Sequence, residues 1–245
     1  MRFLLLALLF LTPIHLIAQV ANAEFSNIAK KFEKGSYESG LETAESVIDN
    51  DKHRKKPEPY LWASMCYYQI HLSDDEAVKD RVKSPLRNAL KYAGKAVSKD
   101  KNGNFVEANQ EYFTVMKQAG VEEARAQDAE GDYRKAAYTY KQVMKFAPGD
   151  AFIQFAKAVN DIKMNSYFEA ERELSEAFPT LEENYRNLDF QPDPISSPLL
   201  KPGVIYYIDH LMENAYRDSA KKVTMAARVF FPLDEEIKQK LQALE

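Results

Sequence analysis

One stretch of this chain repeats itself at a fixed interval, and that limits the possible folds more than any other feature. Gly131-Asp132-Tyr133-Arg134-Lys135-Ala136 is followed by Tyr140, Val143 and Pro148; thirty-four residues on, Asn165-Ser166-Tyr167-Phe168-Glu169-Ala170 is followed by Leu174 and Ala177. An earlier copy reads Gly35-Ser36-Tyr37 with Gly40, Ala44 and Val47, and a later one Asn214-Ala215-Tyr216 with Ser219, Val223 and Ala226. A Gly or Asn tolerates the left-handed conformation that closes one helix and opens the next. Small residues at two later offsets let paired helices approach closely, and the larger residue between them fills the groove. A helix pair built this way leaves an apolar face bare, so neighbouring pairs must stack to bury it.

The pattern resembles the tetratricopeptide repeat family, a 34-residue helix–turn–helix unit. It is strongest over residues 117–150 and 151–184, good over 21–52, and partial over 57–103, where Tyr60, Ala63, Ser64 and Tyr67 suit a first helix and Ala89, Ala93 and Ala96 a second. A last unit spans 200–232, with its proline one place late at Pro232. The resemblance implies an all-α α-solenoid, a right-handed superhelix of antiparallel helix hairpins with four or five units. Two stretches depart from it. Residues 104–117 read as an added helix with Phe105, Ala108, Tyr112, Val115 and Met116 on one face. Residues 178–202 hold five prolines, which excludes one regular helix there and predicts a short helical piece near 181–187 followed by a loop. Residues 233–245 read as a capping helix that opens on Asp234.

Composition supports a folded helical chain: 45% hydrophobic, 29% charged and only 8 glycines. The net charge of −4 gives no basic field to hold nucleic acid or anionic lipid, and the one dense cluster, His53-Arg54-Lys55-Lys56, reads as a solvated linker. The first 23 residues differ from the rest. Met1-Arg2 precedes an apolar run from Phe3 to Leu11, and Ala21-Asn22-Ala23 fits signal peptidase, leaving Glu24 as the mature N-terminus. Export to a periplasm or secretion is the expectation, with an uncleaved anchor as the alternative. The single cysteine, Cys66, excludes an internal disulfide. It also lies far from the cleavage region, so no lipid anchor is expected.

No catalytic constellation is evident. His53, His71 and His210 have no metal-ligand spacing, no phosphate-binding loop or nucleophile motif occurs, and no cofactor or metal is expected. Cys66 and His71, five apart, lack a third orienting group. The expected function is that of a scaffold or adaptor for a protein or peptide partner. The resemblance implies a concave face built from first helices. It places Leu61, Met65 and Tyr68 there from one unit, and Gln118, Val121, Arg125 and Asp128 from another. Phe152, Phe155, Val159 and Ile162 follow from the next, and Val204, Ile208, Leu211 and Met212 from the last. So apolar a surface marks a partner-binding groove, unless the insertions fill it. In that case these residues are core, and the chain serves as a structural subunit of an envelope or secretion complex. The carboxylate clamp of some family members is not supplied, since only Arg125 among Val121, Arg125, Phe155 and Val159 would serve.

Overall fold

Four helix pairs turn on the same backbone geometry in the computed structural model, which describes residues 23–244. The expected signal segment lies outside the described residues apart from Ala23. The helices are α1 (Ser26–Glu33), α2 (Tyr37–Asp49), α3 (Glu58–Leu72), α4 (Glu76–Arg81), α5 (Pro85–Lys99), α6 (Asn104–Ala108) and α7 (Gln110–Ala129). They continue with α8 (Tyr133–Val143), α9 (Ala151–Lys163), α10 (Tyr167–Arg186), α11 (Leu200–Glu213), α12 (Arg217–Phe230) and α13 (Glu235–Gln242). Among the described residues there is no strand.

Gly35, Gly131, Asn165 and Ala215 adopt left-handed φ values of 71°, 79°, 61° and 62°. Each donates its N–H to the carbonyl three residues back at 2.8–3.1 Å, and the next N–H reaches the carbonyl five back at 2.8–2.9 Å. This pair of bonds satisfies carbonyls that a helix end otherwise leaves unpaired. Counted from the left-handed residue, the fifth, ninth and twelfth positions are Gly40, Ala44 and Val47; Ala136, Tyr140 and Val143; and Ala170, Leu174 and Ala177. Ser84, at φ 50°, takes the same place ahead of Ala89, Ala93 and Ala96, all fully buried. The insertion 73–83, which carries α4, precedes it.

The last hairpin corrects the register expected from Asn214-Ala215-Tyr216. The left-handed residue is Ala215, so the packed positions are Ala220, Thr224 and Ala227, each 0% exposed, while Ser219 faces outward. This also accounts for the late proline: Pro232 follows Ala215 by the same 17 residues that separate Pro148 from Gly131.

Two further boundaries differ from expectation. Residues 104–117 are not a separate helix; α6 ends at Ala108, and α7 runs on unbroken through the predicted start of the next unit. Asn109 is buried and its amide donates to the Phe105 carbonyl at 2.7 Å, which marks the bend. The helix α10 does not stop at Phe178 but continues through Pro179 to Arg186. Of the five prolines, Pro179 lies inside α10, Pro202 lies in the first turn of α11, and the other three lie in the connection between them. Asp193 organises that connection by accepting from Ile195 and Ser196 N–H, and Ser196 donates to Asp150, the cap of α9, at 2.8 Å. Asp234 caps α13 through the Ile237 N–H.

The chain divides into two compact units, with the boundary after Gly120, inside α7. In the first, α3 lies between α2 and α5, and every residue from Pro59 to Tyr67 is buried. A helix enclosed on both sides reads as apolar all round. In the second, α9 lies between α8 and α10, and the hairpin α11–α12 stacks on it; Phe155, Leu181, Leu200, Ile208, Ala227 and Phe230 share one core.

Candidate functional site

The structure places the sequence-predicted inner-face residues in two groups. Leu61, Met65, Val121, Phe152, Phe155 and Val159 are buried, so their expected role as an open apolar surface is corrected; Ile162 is buried too, but it lines the groove described below. Leu61 and Met65 belong to the enclosed helix α3. Phe155 and Val159 face α11 instead of solvent, and the approach is close: a Cβ on Gly203 would lie 2.9 Å from Phe155 Cε1. Val204, Ile208 and Leu211 are likewise core. In the second unit these positions are the ones by which the first helix α9 contacts the first helix α11. Tyr68, Gln118, Arg125, Asp128 and Met212 reach solvent, and Asp128 pairs with Lys163 at 2.5 Å.

Elsewhere in the second unit an open groove of about 720 Å³ runs between α10, the C-terminal half of α11 and the start of α12. Leu174, Phe178, Leu211 and Val223 form its floor. On the rim stand Tyr167, 50% exposed, and Tyr216, 60% exposed. Leu174 occupies the large position of the 34-residue ruler, yet it is only half-buried and lines the groove. The volume falls within the range of ordinary ligand pockets, and the lining has their pattern of an apolar floor with few polar groups.

Two of those polar groups are Glu171 and Tyr207. Among the described residues Glu171 has neither a hydrogen-bond nor an ion-pair partner, so its carboxylate is available on the groove wall. Burial first, and then the negative charge of Glu171, push the Tyr207 phenol above its usual range. At one end His210 stacks on Tyr167 at 5.8 Å and on Tyr206 at 6.3 Å, and the Lys163 ammonium lies 5.0 Å from the rings of both Tyr206 and Tyr133. This aromatic–cation stack stiffens the groove end. Its floor residues were visible in sequence only as repeat positions, and its rim tyrosines as turn aromatics. The gap between helices has no sequence signal beyond the long connection after α10.

Below the groove, a buried ion cluster fixes α10 to α9. Lys157 pairs with Asp161 at 2.7 Å and Glu173 at 3.3 Å, and Glu173 also accepts from Arg172 and Gln154. Burial works against ionisation of Glu173, but the Arg172 and Gln154 hydrogen bonds and the Lys157 charge hold it below the usual carboxylate range. At Asp161 burial prevails over Lys157, with Glu173 adding repulsion, and its carboxyl is raised.

The Cys66 thiol is buried, and burial pushes it up to about 12, so at neutral pH it stays protonated and a poor nucleophile. No group of three or more His, Cys, Asp and Glu among the described residues is placed to hold a metal. No helix among them is long and apolar enough to cross a membrane.

Hairpins that share one turn geometry and one packing ruler define the class: an all-α, tetratricopeptide-like helical-repeat protein. No family profile and no curated protein matches the chain. Among solved structures it is similar to the TPR2AB domain of yeast Sti1 in complex with pHSP90, at 17% identity and a TM-score of 0.36, over 93% of this chain and 85% of that one.

Proposed function

We propose that this protein is an exported interaction scaffold, periplasmic or secreted after cleavage before Glu24, that holds a partner protein in the groove of its second unit. The observation that carries the reading is the groove itself: an apolar floor beside aromatic side chains that remain half or more exposed. The unpartnered Glu171 on its wall selects among partners. A segment with bulky apolar side chains next to a lysine or arginine is complementary in both shape and charge. The burial of Phe152, Phe155 and Val159 favours a second reading, a structural subunit of an envelope assembly whose first-helix face is filled by its own chain. Both readings make protein contacts, and they differ in whether the groove is used.

A photo-crosslinking residue at Ser219, which lines the groove and is exposed, tests this in cells. The expected result is one crosslinked partner whose attached segment is apolar and basic, lost when Ser175→Arg fills the opposite wall. Diffuse crosslinks unchanged by Ser175→Arg would remove the groove from the mechanism. Export is tested separately by N-terminal sequencing of the mature protein and by accumulation of precursor when Ala23 is replaced by Leu.

A further inference from the structure

Several aromatic rings of this chain are met by lysines from the chain itself. Lys95 lies 4.8 Å from the Tyr92 ring and 5.9 Å from Tyr60, Lys56 lies 5.7 Å from Phe25, and Lys163 lies 5.0 Å from both Tyr133 and Tyr206. The groove of the second unit differs. Tyr167, Phe178, Tyr207 and Tyr216 all line it, yet among the described residues no lysine or arginine stands over any of these rings. The carboxylate of the groove is in the same position. Glu171 is the only Asp, Glu, Lys or Arg in the lining, and among the described residues it has no ion-pair partner. The cations of the adjoining helices are engaged elsewhere or stand apart. Lys163 pairs with Asp128, and Arg217 donates to the Ala243 carbonyl. On α12, Lys221 and Lys222 neither line the groove nor pair with Glu171. The Tyr207 phenol registers the result: burial and the Glu171 charge both raise it, and no cation lowers it.

We infer that the groove takes a small amphiphilic cation, an ammonium group on an apolar body, and that this molecule competes there with the segment of a partner protein. A carboxylate and aromatic rings attract the same charge, and here both are offered without a cation from the chain. The apolar body covers the floor formed by Leu174, Phe178, Leu211 and Val223, and removing that surface from water drives the binding. A groove of about 720 Å³ is of the size that encloses a whole small molecule. An anionic amphiphile is repelled by Glu171. A neutral one gains the floor but leaves the carboxylate and the rings without their counter-charge. The inference rests on the reading of the groove as a working site, and it adds a ligand that binds with no partner protein present.

The test titrates the purified full chain by calorimetry with decyltrimethylammonium, decyl sulfate and decyl glucoside, each below its micelle concentration. His210 is the one lining group able to turn positive, so the titration is run at about pH 8, above the range in which imidazole ordinarily titrates. The expected result is one saturable site for the cation, held about tenfold more tightly than the sulfate or the glucoside. Glu171→Gln, with an unchanged circular dichroism spectrum, is expected to weaken the cation about fivefold and to leave the glucoside unchanged. Ser175→Arg is expected to abolish binding of the cation. The inference is overturned if the cation binds no more tightly than the other two, or if Glu171→Gln leaves its affinity as in wild type. A Ser219 crosslink found beside either of those results keeps the groove as a partner site and removes the small ligand. Selective binding of the cation with no crosslink does the reverse.

Discussion

Replacing Ala215 by glycine should stabilise the protein, against the usual rule that glycine near a helix weakens it. Ala215 sits at φ 62°, where a Cβ crowds the backbone. That conformation costs an L-residue roughly 1–2 kcal/mol. Glycine removes the cost but adds about 0.5–1 kcal/mol of unfolded-state entropy, leaving a net gain of roughly 0.5–1 kcal/mol. In a domain of this size that corresponds to a rise in Tm of about 1–4 °C. Asn214 is the control. It has a near-helical φ of −92°, and its amide donates to the His210 carbonyl at 2.8 Å. Asn214→Gly loses that bond and gains flexibility, so it should lower Tm. Parallel thermal melts by circular dichroism decide the matter. If Asn214→Gly stabilises and Ala215→Gly does not, the turn lies where the bare sequence pattern put it, and the shifted register is wrong.

Three further outcomes follow from the packing and the charges. Gly203→Ala, which drives a methyl to 2.9 Å from the fully buried Phe155 ring, should cost about 1–3 kcal/mol in urea denaturation, although alanine is the better helix former. Phe155→Ala should cost about 3–5 kcal/mol, as a core residue would and a groove residue would not; a loss under about 1 kcal/mol would restore it to the surface. The Lys157 cluster should bend the acid limb in two directions. Glu173, held below its ordinary 4.5, contributes stability above that value and loses it as pH falls through the folded value, so the advantage of wild type over Glu173→Gln should shrink on acidification. Asp161, held above its ordinary 3.8, takes up its proton earlier in the folded state, so wild type should gain relative to Asp161→Asn over the same range, as followed by urea midpoints at stepped pH.

The hairpins were legible in sequence because their turns depend on local chemistry: glycine or asparagine at a left-handed position, then small residues at fixed offsets. Where the chain departed from that chemistry, the reading slipped. Ala215 is left-handed although alanine rarely is, and Asn214 beside it gave a false anchor. Pro179 suggested a helix end, yet α10 passes through it because packing of Ala177 and Leu181 on the shared core outweighs one missing hydrogen bond. The groove was not legible, because periodicity tells which residue points toward a neighbouring helix and not how near that helix comes. Phe155 and Leu174 are both large apolar residues on helical faces; one is sealed by α11, and the other is left half open.

Pro179 has an effect at the groove as well as within its own helix. A proline nitrogen carries no hydrogen, so the carbonyl of Ser175, four residues earlier, lacks its ordinary helical donor. Ser175 and Pro179 both line the groove. The carbonyl that lacks its donor therefore belongs to a residue of the groove wall, the same wall that carries the Glu171 carboxylate. That acceptor has no charge to screen and no pKa to shift. It persists across salt and pH, and among side-chain changes only one at position 179 restores the missing donor.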